Sequence, residues 1–288
     1  MVMTLQELYL YGKEQLTKAE LSSPAFDALE LLGFCFNFRG RSALAMRSKE
    51  VVSDSDTKRY IELIEMRKCR PLQYILGKWE FCDMELYVGE GVLVPREDTQ
   101  VLVDRAVSFI GDKQACVYDL CAGSGAVALG VAKSCANASI KCLELSEQAA
   151  VYLDKNIKEY GKGKVEFILA DVFDKSVLPP PESVDIIVSN PPYIPARDIE
   201  QLEWEVKCEP SLALDGGNDG LDFYRFFAEN WCDCLKPGGM IAVEVGINQA
   251  EDVAKLFENA GLCNITFDKD FAGIDRVVYA TKGSSGDF

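Results

Sequence analysis

The chain has 288 residues, 48% of them hydrophobic, which is enough for one full-sized α/β domain plus a smaller one. A formal net charge of −16 opposes sequence-independent binding to a phosphate backbone, and the absence of histidine removes the imidazole base, the Ser-His triad and the His-ligated metal. The eleven cysteines are scattered without a CxxC pair and read as reduced thiols of a cytoplasmic chain, not as a disulfide framework or zinc site.

The first stretch, MVMTLQELYLYGKEQ, lacks the basic and apolar regions of an export signal, and no apolar run approaches the roughly 20 residues that span a bilayer. No membrane association is expected. Residues 1–72 read as short helices: Thr4 with Glu7 and Thr17 with Glu20 have capping-box spacing, and Ser23-Pro24 reads as an N-cap with proline at the first helical position. Ala25, Leu29, Leu32 and Phe36 then recur on one helical face, and a last amphipathic helix is expected from Thr57 to about Lys68, with Tyr60, Ile61, Ile64 and Met66. These stripes predict the core of a small helical bundle.

Residues 73–95, rich in aromatic and β-branched types and broken by glycines, predict a β-hairpin linking two domains. Residues 96–288 form the second. It opens with a helix that Asp98 or Thr99 could cap, and then apolar runs alternate with helical stretches: Ala115 to Leu120, Ala138 to Leu143, Lys164 to Leu169, Val184 to Ser189 and Met240 to Val245. That alternation predicts a doubly wound, Rossmann-like, mostly parallel sheet, with ligands outside the carboxyl ends of its strands. The tail KGSSGDF is expected to fray.

The first strand of this sheet runs into VYDLCAGSGA. Gly123 and Gly125 permit a tight turn and close approach of a ligand to the backbone ahead of a helix. The spacing differs from the dinucleotide GxGxxG, since Cys121 stands in the place of a first glycine. Asp119, just ahead of the turn, would repel a pyrophosphate but can hold an ammonium, which favours a cofactor with an amino-acid end such as S-adenosylmethionine. The turn alone also fits a purely structural role. Glu144, about twenty residues beyond the glycines, is placed to accept ribose hydroxyls, and Asp171 an exocyclic adenine amine, with Val172 and Phe173 against the ring. Three carboxylates at successive strand ends above a glycine turn read as a nucleoside-plus-amine site.

The fourth strand runs into SNPPYIP. A planar NH2 on an sp2 carbon is a poor nucleophile that must be held in line with a methyl donor. Asn190 can offer its side-chain oxygen and Pro191 its carbonyl as acceptors, Pro192 keeps Pro191 out of the helical region, and Tyr193 can lie across the planar group. No base is needed beforehand, because the alkylated nitrogen becomes acidic.

In RPLQYILGKWEF, VPREDT, DLCAGSG, SNPPYIP, ALDGGNDGLDFYR, LKPGGMIAVEVG and GIDRVV, in that order, the chain resembles the protein-(glutamine-N5) methyltransferases that modify peptide chain release factors, the HemK/PrmC-type family. The resemblance implies a class I methyltransferase fold and methyl transfer from S-adenosylmethionine to the glutamine of the release factors' Gly-Gly-Gln loop. By motif, Cys121, Ala122, Gly123, Ser124, Gly125, Glu144, Asp171 and Val172 would hold the cofactor, and Asn190 to Tyr193 the glutamine amide. It further implies a helical N-terminal domain that docks the release factor. Glu97, Gln100 and Cys121 depart from the usual motifs, and Glu144 stands for a frequent aspartate. A monomer is the default for a chain that encloses one partner's loop. The alternatives are a DNA adenine-N6 methyltransferase, which presents the same planar NH2 but would need basic strand-gripping loops absent here, and a non-catalytic S-adenosylmethionine-binding protein.

Overall fold

The computed structural model describes residues 3–283, which divide into two compact units with the boundary after Lys78. The end of the tail, residues 284–288, lies outside the described residues.

In the first unit, strand β1 (Met3–Thr4) pairs antiparallel with β2 (Val51–Val52), and five helices follow the chain: α1 (Leu5–Lys18), α2 (Pro24–Phe36), α3 (Gly40–Arg47), α4 (Asp54–Arg67) and α5 (Leu72–Leu76). The Thr4–Glu7 capping box forms, with the Thr4 amide donating to Glu7 at 2.8 Å and the Glu7 amide to the Thr4 hydroxyl at 3.3 Å. Thr17 and Glu20 form no second box: Thr17 sits in the last turn of α1, where its hydroxyl donates to the Lys13 carbonyl at 2.7 Å. Pro24 takes the first helical position of α2 as expected, but Ser23 makes no capping bond. Helix α4 begins three residues before Thr57, because the Ser53 hydroxyl accepts the Asp56 amide at 3.1 Å.

Helix α1 has Gly12 on its buried face, where any β-carbon would strike the Tyr60 hydroxyl of α4, and that hydroxyl in turn donates to the Ala28 carbonyl of α2 at 3.0 Å. Deep in the unit Arg67 donates to Asp27 at 2.8 Å, both side chains at least 96% buried. Periodicity does not reveal this pair, since it treats charged positions as solvated.

The hairpin begins later than the sequence suggests. Residues Leu72–Leu76 form helix α5, closed by Gly77 at φ 74°, and only then do β3 (Lys78–Phe81) and β4 (Met84–Tyr87) pair. Cys82 and Asp83 between them hold φ 48° and 51°, both positive as a two-residue hairpin turn of the primed type requires.

The second unit continues with α6 (Gln100–Ile110), β5 (Ala115–Leu120), α7 (Ala126–Ser134), β6 (Ala138–Glu144), α8 (Glu147–Tyr160), β7 (Val165–Leu169), β8 (Val184–Ser189), the short α9 (Trp204–Lys207) and α10 (Asp222–Phe226), which runs on through a π turn, Phe227–Trp231. Strand β9 (Leu235–Glu244), α11 (Ala250–Asn259), β10 (Leu262–Lys269) and β11 (Asp275–Lys282) complete it. The seven-stranded sheet has the order β10-β11-β9-β8-β5-β6-β7, parallel from β9 to β7, with β11 antiparallel to both of its neighbours. Strands β10 and β11 were not foreseen, because only every second residue of β10 turns inward and no continuous apolar run marks it.

Side chains alternate across the sheet. Val117, Ile186, Val188 and Ala242 meet Leu102, Ala106, Ala128 and Leu129 of α6 and α7. On the other face Leu120, Ile187 and Val243 meet Tyr224, Phe227, Trp231, Val253 and Phe257. Burial on both faces fixes the strand register, and with it the positions of the strand ends.

Candidate active site

The carboxyl ends of β5, β6, β7 and β8 enclose a cavity of about 200 Å³ within the second unit. The turn after β5 is built from residues in the left-handed region: Cys121 at φ 63°, Gly123 at 56° and Gly125 at 82°. Cys121 adopts there what a glycine would adopt freely, at a cost of roughly 1 kcal/mol. The turn is tied down from two sides. The Ala122 amide donates to the Leu143 carbonyl at 2.9 Å. The fully buried Asn156 side chain donates to the Ser124 carbonyl at 2.9 Å while exchanging hydrogen bonds with the backbone of Tyr87. Gly125 caps α7 and lies outside the cavity lining. Gly123 lines it, and a β-carbon on Gly123 would meet open space.

All three expected carboxylates line the cavity. Asp119 is 1% exposed and accepts the Ala128 amide at 3.0 Å. Burial pushes its carboxyl up to about 7, against the pull of that amide and with a further push from Glu144. Glu144 accepts the Gly123 amide on one oxygen and the Ser146 amide on the other, both at 2.7 Å, so it braces the glycine turn as well as facing the cavity. Burial raises its carboxyl above the ordinary range, opposed by the amides of Ser146, Gly123 and Leu145. Asp171 accepts the Phe173 amide at 2.9 Å, and Val172 and Phe173 stand beside it in the lining.

After β8, the Ser189 hydroxyl donates to the Leu120 carbonyl at 2.6 Å and draws the end of this strand against its neighbour. Asn190 and Pro192 line the cavity, whereas Pro191 and Tyr193 do not. The Asn190 NH2 donates to the Thr99 hydroxyl at 3.2 Å, leaving the side-chain oxygen as its other face. Tyr193 departs from expectation: its hydroxyl points to Glu244 at 3.5 Å and its carbonyl accepts from Gln249 at 2.9 Å, so the ring is held away from the cavity lining.

Residues not expected at the site complete the lining, among them Arg96, Leu212, Phe223 and Thr99, which was expected only as a possible helix cap and makes no capping bond. Arg96 donates to the buried Glu209 at 2.8 Å and Glu209 also accepts the Val94 amide, joining segments more than a hundred positions apart. Such pairs leave no local signal in a sequence. Among the described residues no group of Cys, Asp and Glu is arranged to hold a metal ion, and no helix is long and apolar enough to cross a membrane.

A parallel sheet of this order, with an antiparallel strand inserted beside its edge and a glycine-turn cavity at its strand ends, defines a class I methyltransferase. The methyltransferase small domain family matches residues 97–209, and the PrmC N-terminal domain family matches residues 7–77. A methyltransferase structure from Pyrococcus furiosus shares the fold at a TM-score of 0.51 and 18% identity, over 69% of this chain and 89% of that one. The release factor glutamine methyltransferase of Clostridium acetobutylicum is 39% identical over 81% of this chain and 82% of its own length. That of Clostridium botulinum is 33% identical over 97% and 100%. The chain belongs to the release factor glutamine methyltransferase family.

Proposed function

We propose that this protein transfers a methyl group from S-adenosylmethionine to the side-chain amide nitrogen of the glutamine in the Gly-Gly-Gln loop of peptide chain release factors. The observation that carries the reading is the Asn190 carboxamide, held by Thr99 through its NH2 at the rim of a cavity lined by Asp119, Glu144 and Asp171.

The residues present fit the cofactor. The buried Asp119 has no cationic partner among the described residues and matches an ammonium; Glu144 and Asp171 are acceptors for ribose hydroxyls and an adenine amine; and the open space before Gly123 admits a ligand against the backbone. Cys121, Ala122, Ser124 and Val172 line the same space and Gly125 closes the turn. When bound, S-adenosylmethionine supplies a methyl group on a positively charged sulfur. The chain does the rest by placement. The Asn190 oxygen and the Pro191 carbonyl accept the two hydrogens of the glutamine NH2 and turn its nitrogen lone pair toward the methyl; Pro192 fixes the backbone that aims them. The carbon–nitrogen bond would form as the methyl's bond to sulfur breaks, its electron pair leaving sulfur a neutral thioether; the nitrogen would then carry the positive charge until one of its protons departs to water. Alignment of this kind is worth up to about 7–11 kcal/mol.

Residues 1–72 serve in this reading to dock the release factor, residues 73–95 to link, and residues 96–288 to carry the chemistry. The protein acts as a monomer in the cytoplasm and contacts neither nucleic acid nor membrane.

A methylation assay with labelled S-adenosylmethionine tests the proposal by offering an unmodified release factor, the same factor with its loop glutamine replaced, and adenine-containing duplex DNA. Label on the first alone is expected. Label on DNA would favour the adenine methyltransferase reading, and cofactor binding without label anywhere would make this a binding protein.

A further inference from the structure

Threonine ahead of a helix ordinarily spends its hydroxyl on the free backbone amides of the first turn. Thr99 lies past that position, at the end of a 3-10 turn, Glu97–Thr99, that runs into α6 with Thr99 itself helical, so its hydroxyl caps nothing; the residue is 3% exposed and the hydroxyl oxygen accepts the Asn190 NH2 at 3.2 Å. On the same side of the sheet lies Glu244, the last residue of β9, one position beyond Val243, which pairs with Ser189 at the end of β8. Glu244 is 2% exposed, takes the Tyr193 hydroxyl at 3.5 Å on one oxygen, and its other oxygen has no hydrogen-bond partner among the described residues. A buried carboxyl left partly unsatisfied carries a stability cost that calls for a reason.

The groups around Glu244 come from three segments of the chain. They are Thr99 and Asp98 ahead of α6, Tyr193 after β8, and Arg276 of β11, whose guanidinium also reaches Asp270 at 3.0 Å and Asp98 at 3.5 Å. Burial pushes the Glu244 carboxyl up to about 7, opposed by the Thr99 hydroxyl, the Arg276 guanidinium and the Tyr193 hydroxyl, with Asp98 pushing further up.

We propose that Thr99, backed by Glu244, is a positioning residue that fixes which way round the Asn190 carboxamide faces the cavity. The logic is one of donors and acceptors. Once ionised, above about pH 7, Glu244 can only accept, and its unsatisfied oxygen is then the acceptor offered to the single hydroxyl proton of Thr99 beside it. The Thr99 oxygen is then available only as an acceptor and takes the Asn190 NH2. The Asn190 oxygen is thereby turned to the cavity, where the substrate amide needs an acceptor. In the reversed carboxamide two NH2 groups would confront each other and one of the two acceptors would be lost. The inference rests on the methyl-transfer reading above only for its kinetic consequence.

Turnover on an unmodified release factor and S-adenosylmethionine affinity, measured on the full chain, separate the roles. Thr99→Val, which keeps the shape and loses the hydroxyl, is expected to lower kcat about tenfold, the worth of one neutral hydrogen bond, with KM and cofactor Kd within about twofold. Thr99→Ser is expected to recover most of the loss. In an Asn190→Ala background Thr99→Val is expected to add nothing, as for two groups acting in series. An equal loss in both backgrounds, or Ser as damaging as Val, would overturn the proposal. A second readout needs no activity. With selective 15N-asparagine labelling, the Asn190 carboxamide, identified by its disappearance in Asn190→Ala, is expected to show one slowly exchanging proton that becomes fast in Thr99→Val. Unchanged exchange overturns the positioning role even where a wild type that labels no release factor has already overturned the methyl-transfer reading. Glu244→Gln, isosteric but able to donate, gives the same test should Thr99→Val fold poorly: its Asn190 proton exchanges faster if Glu244 orders the chain of bonds, and unchanged exchange removes Glu244 from it.

Discussion

Lowering the pH through neutrality is expected to weaken the binding of S-adenosylmethionine by titrating Asp119. In the unliganded chain burial pushes this carboxyl up to about 7, so a fraction of molecules carries a neutral acid where the ligand brings an ammonium. Only the ionised form attracts that ammonium, whose own pKa of about 7.7–8.0 keeps it charged below roughly pH 7.5. With an unliganded pKa of about 7, the ionised fraction falls from about three quarters at pH 7.5 to about 3% at pH 5.5, which weakens affinity about 25-fold, or ~1.9 kcal/mol. Isothermal calorimetry across that range gives the slope directly. The control is 5′-methylthioadenosine, which keeps the adenine and ribose that we propose are held by Asp171 and Glu144 but has no ammonium, and its affinity should stay flat. The raised pKa also has a consequence for stability. Between the ordinary value of 3.8 and about 7 the folded chain keeps a proton that the unfolded chain has lost, so stability falls as pH rises through that window. Asp119→Asn, which can still accept the Ala128 amide, should therefore raise the melting temperature of the unliganded protein more at pH 8 than at pH 4, while flattening the pH dependence of cofactor binding. A pH-independent S-adenosylmethionine affinity, or an equal slope for the thioadenosine, would refute the pairing of Asp119 with the ammonium.

Three further outcomes are expected. Asn190→Ala should lower kcat by a factor worth about 3 kcal/mol, in the range for losing one preorganised electrostatic contact, with calorimetric cofactor affinity nearly intact; full turnover would remove Asn190 from the mechanism. Gly123→Ala should weaken cofactor binding, since its methyl group projects into open space on the cavity wall at φ 56°, and should cost roughly 1 kcal/mol of stability; unchanged affinity in a titration would mean that the ligand does not approach this backbone. Asp27→Ala, which leaves the Arg67 guanidinium buried without this carboxylate, should cost about 3–5 kcal/mol in urea unfolding, and the apolar double replacement Asp27→Leu with Arg67→Met far less; equal losses would show that shape and not charge governs the site.

What could be read in advance follows the range over which each interaction acts. The alternation of apolar runs and helices is local, and it foretells β5, β6, β7, β8 and the end of β9 within a few residues, together with the order in which Asp119, Glu144 and Asp171 reach the cavity. Capping was legible at Thr4, where the partner is three residues away, and misleading at Thr17, where the same spacing falls inside a helix already running. The pairs that hold the site are of another kind. Thr99 with Asn190 and Arg96 with Glu209 are each some hundred residues apart, and nothing in either segment alone requires the other. The ring of Tyr193 was misplaced for the same reason, since its destination is set by Glu244 on a later strand.

That later strand bears on how a chain without histidine can arrange its chemistry. A parallel sheet delivers side chains to one edge at each strand end, and this chain has Asp119, Glu144 and Glu244 within the last two positions of β5, β6 and β9. Because side chains alternate, Asp119 shares the face of Val117, and Glu244 that of Ala242, the face covered by α6 and α7. Both carboxyls are therefore buried, and burial pushes both up to about 7 by the same cause. Their surroundings then separate them. Asp119 opens onto the cavity and is met by a backbone amide but by no cation among the described residues, which leaves its charge for a ligand to complement. Glu244 is absent from the cavity lining and is met from within the chain by the Tyr193 hydroxyl and the nearby Thr99 hydroxyl and Arg276 guanidinium, which leaves it to order neighbouring hydrogen bonds. Two acids raised to the same range thus divide into one that binds and one that positions, and the division comes from which strand end faces the cavity.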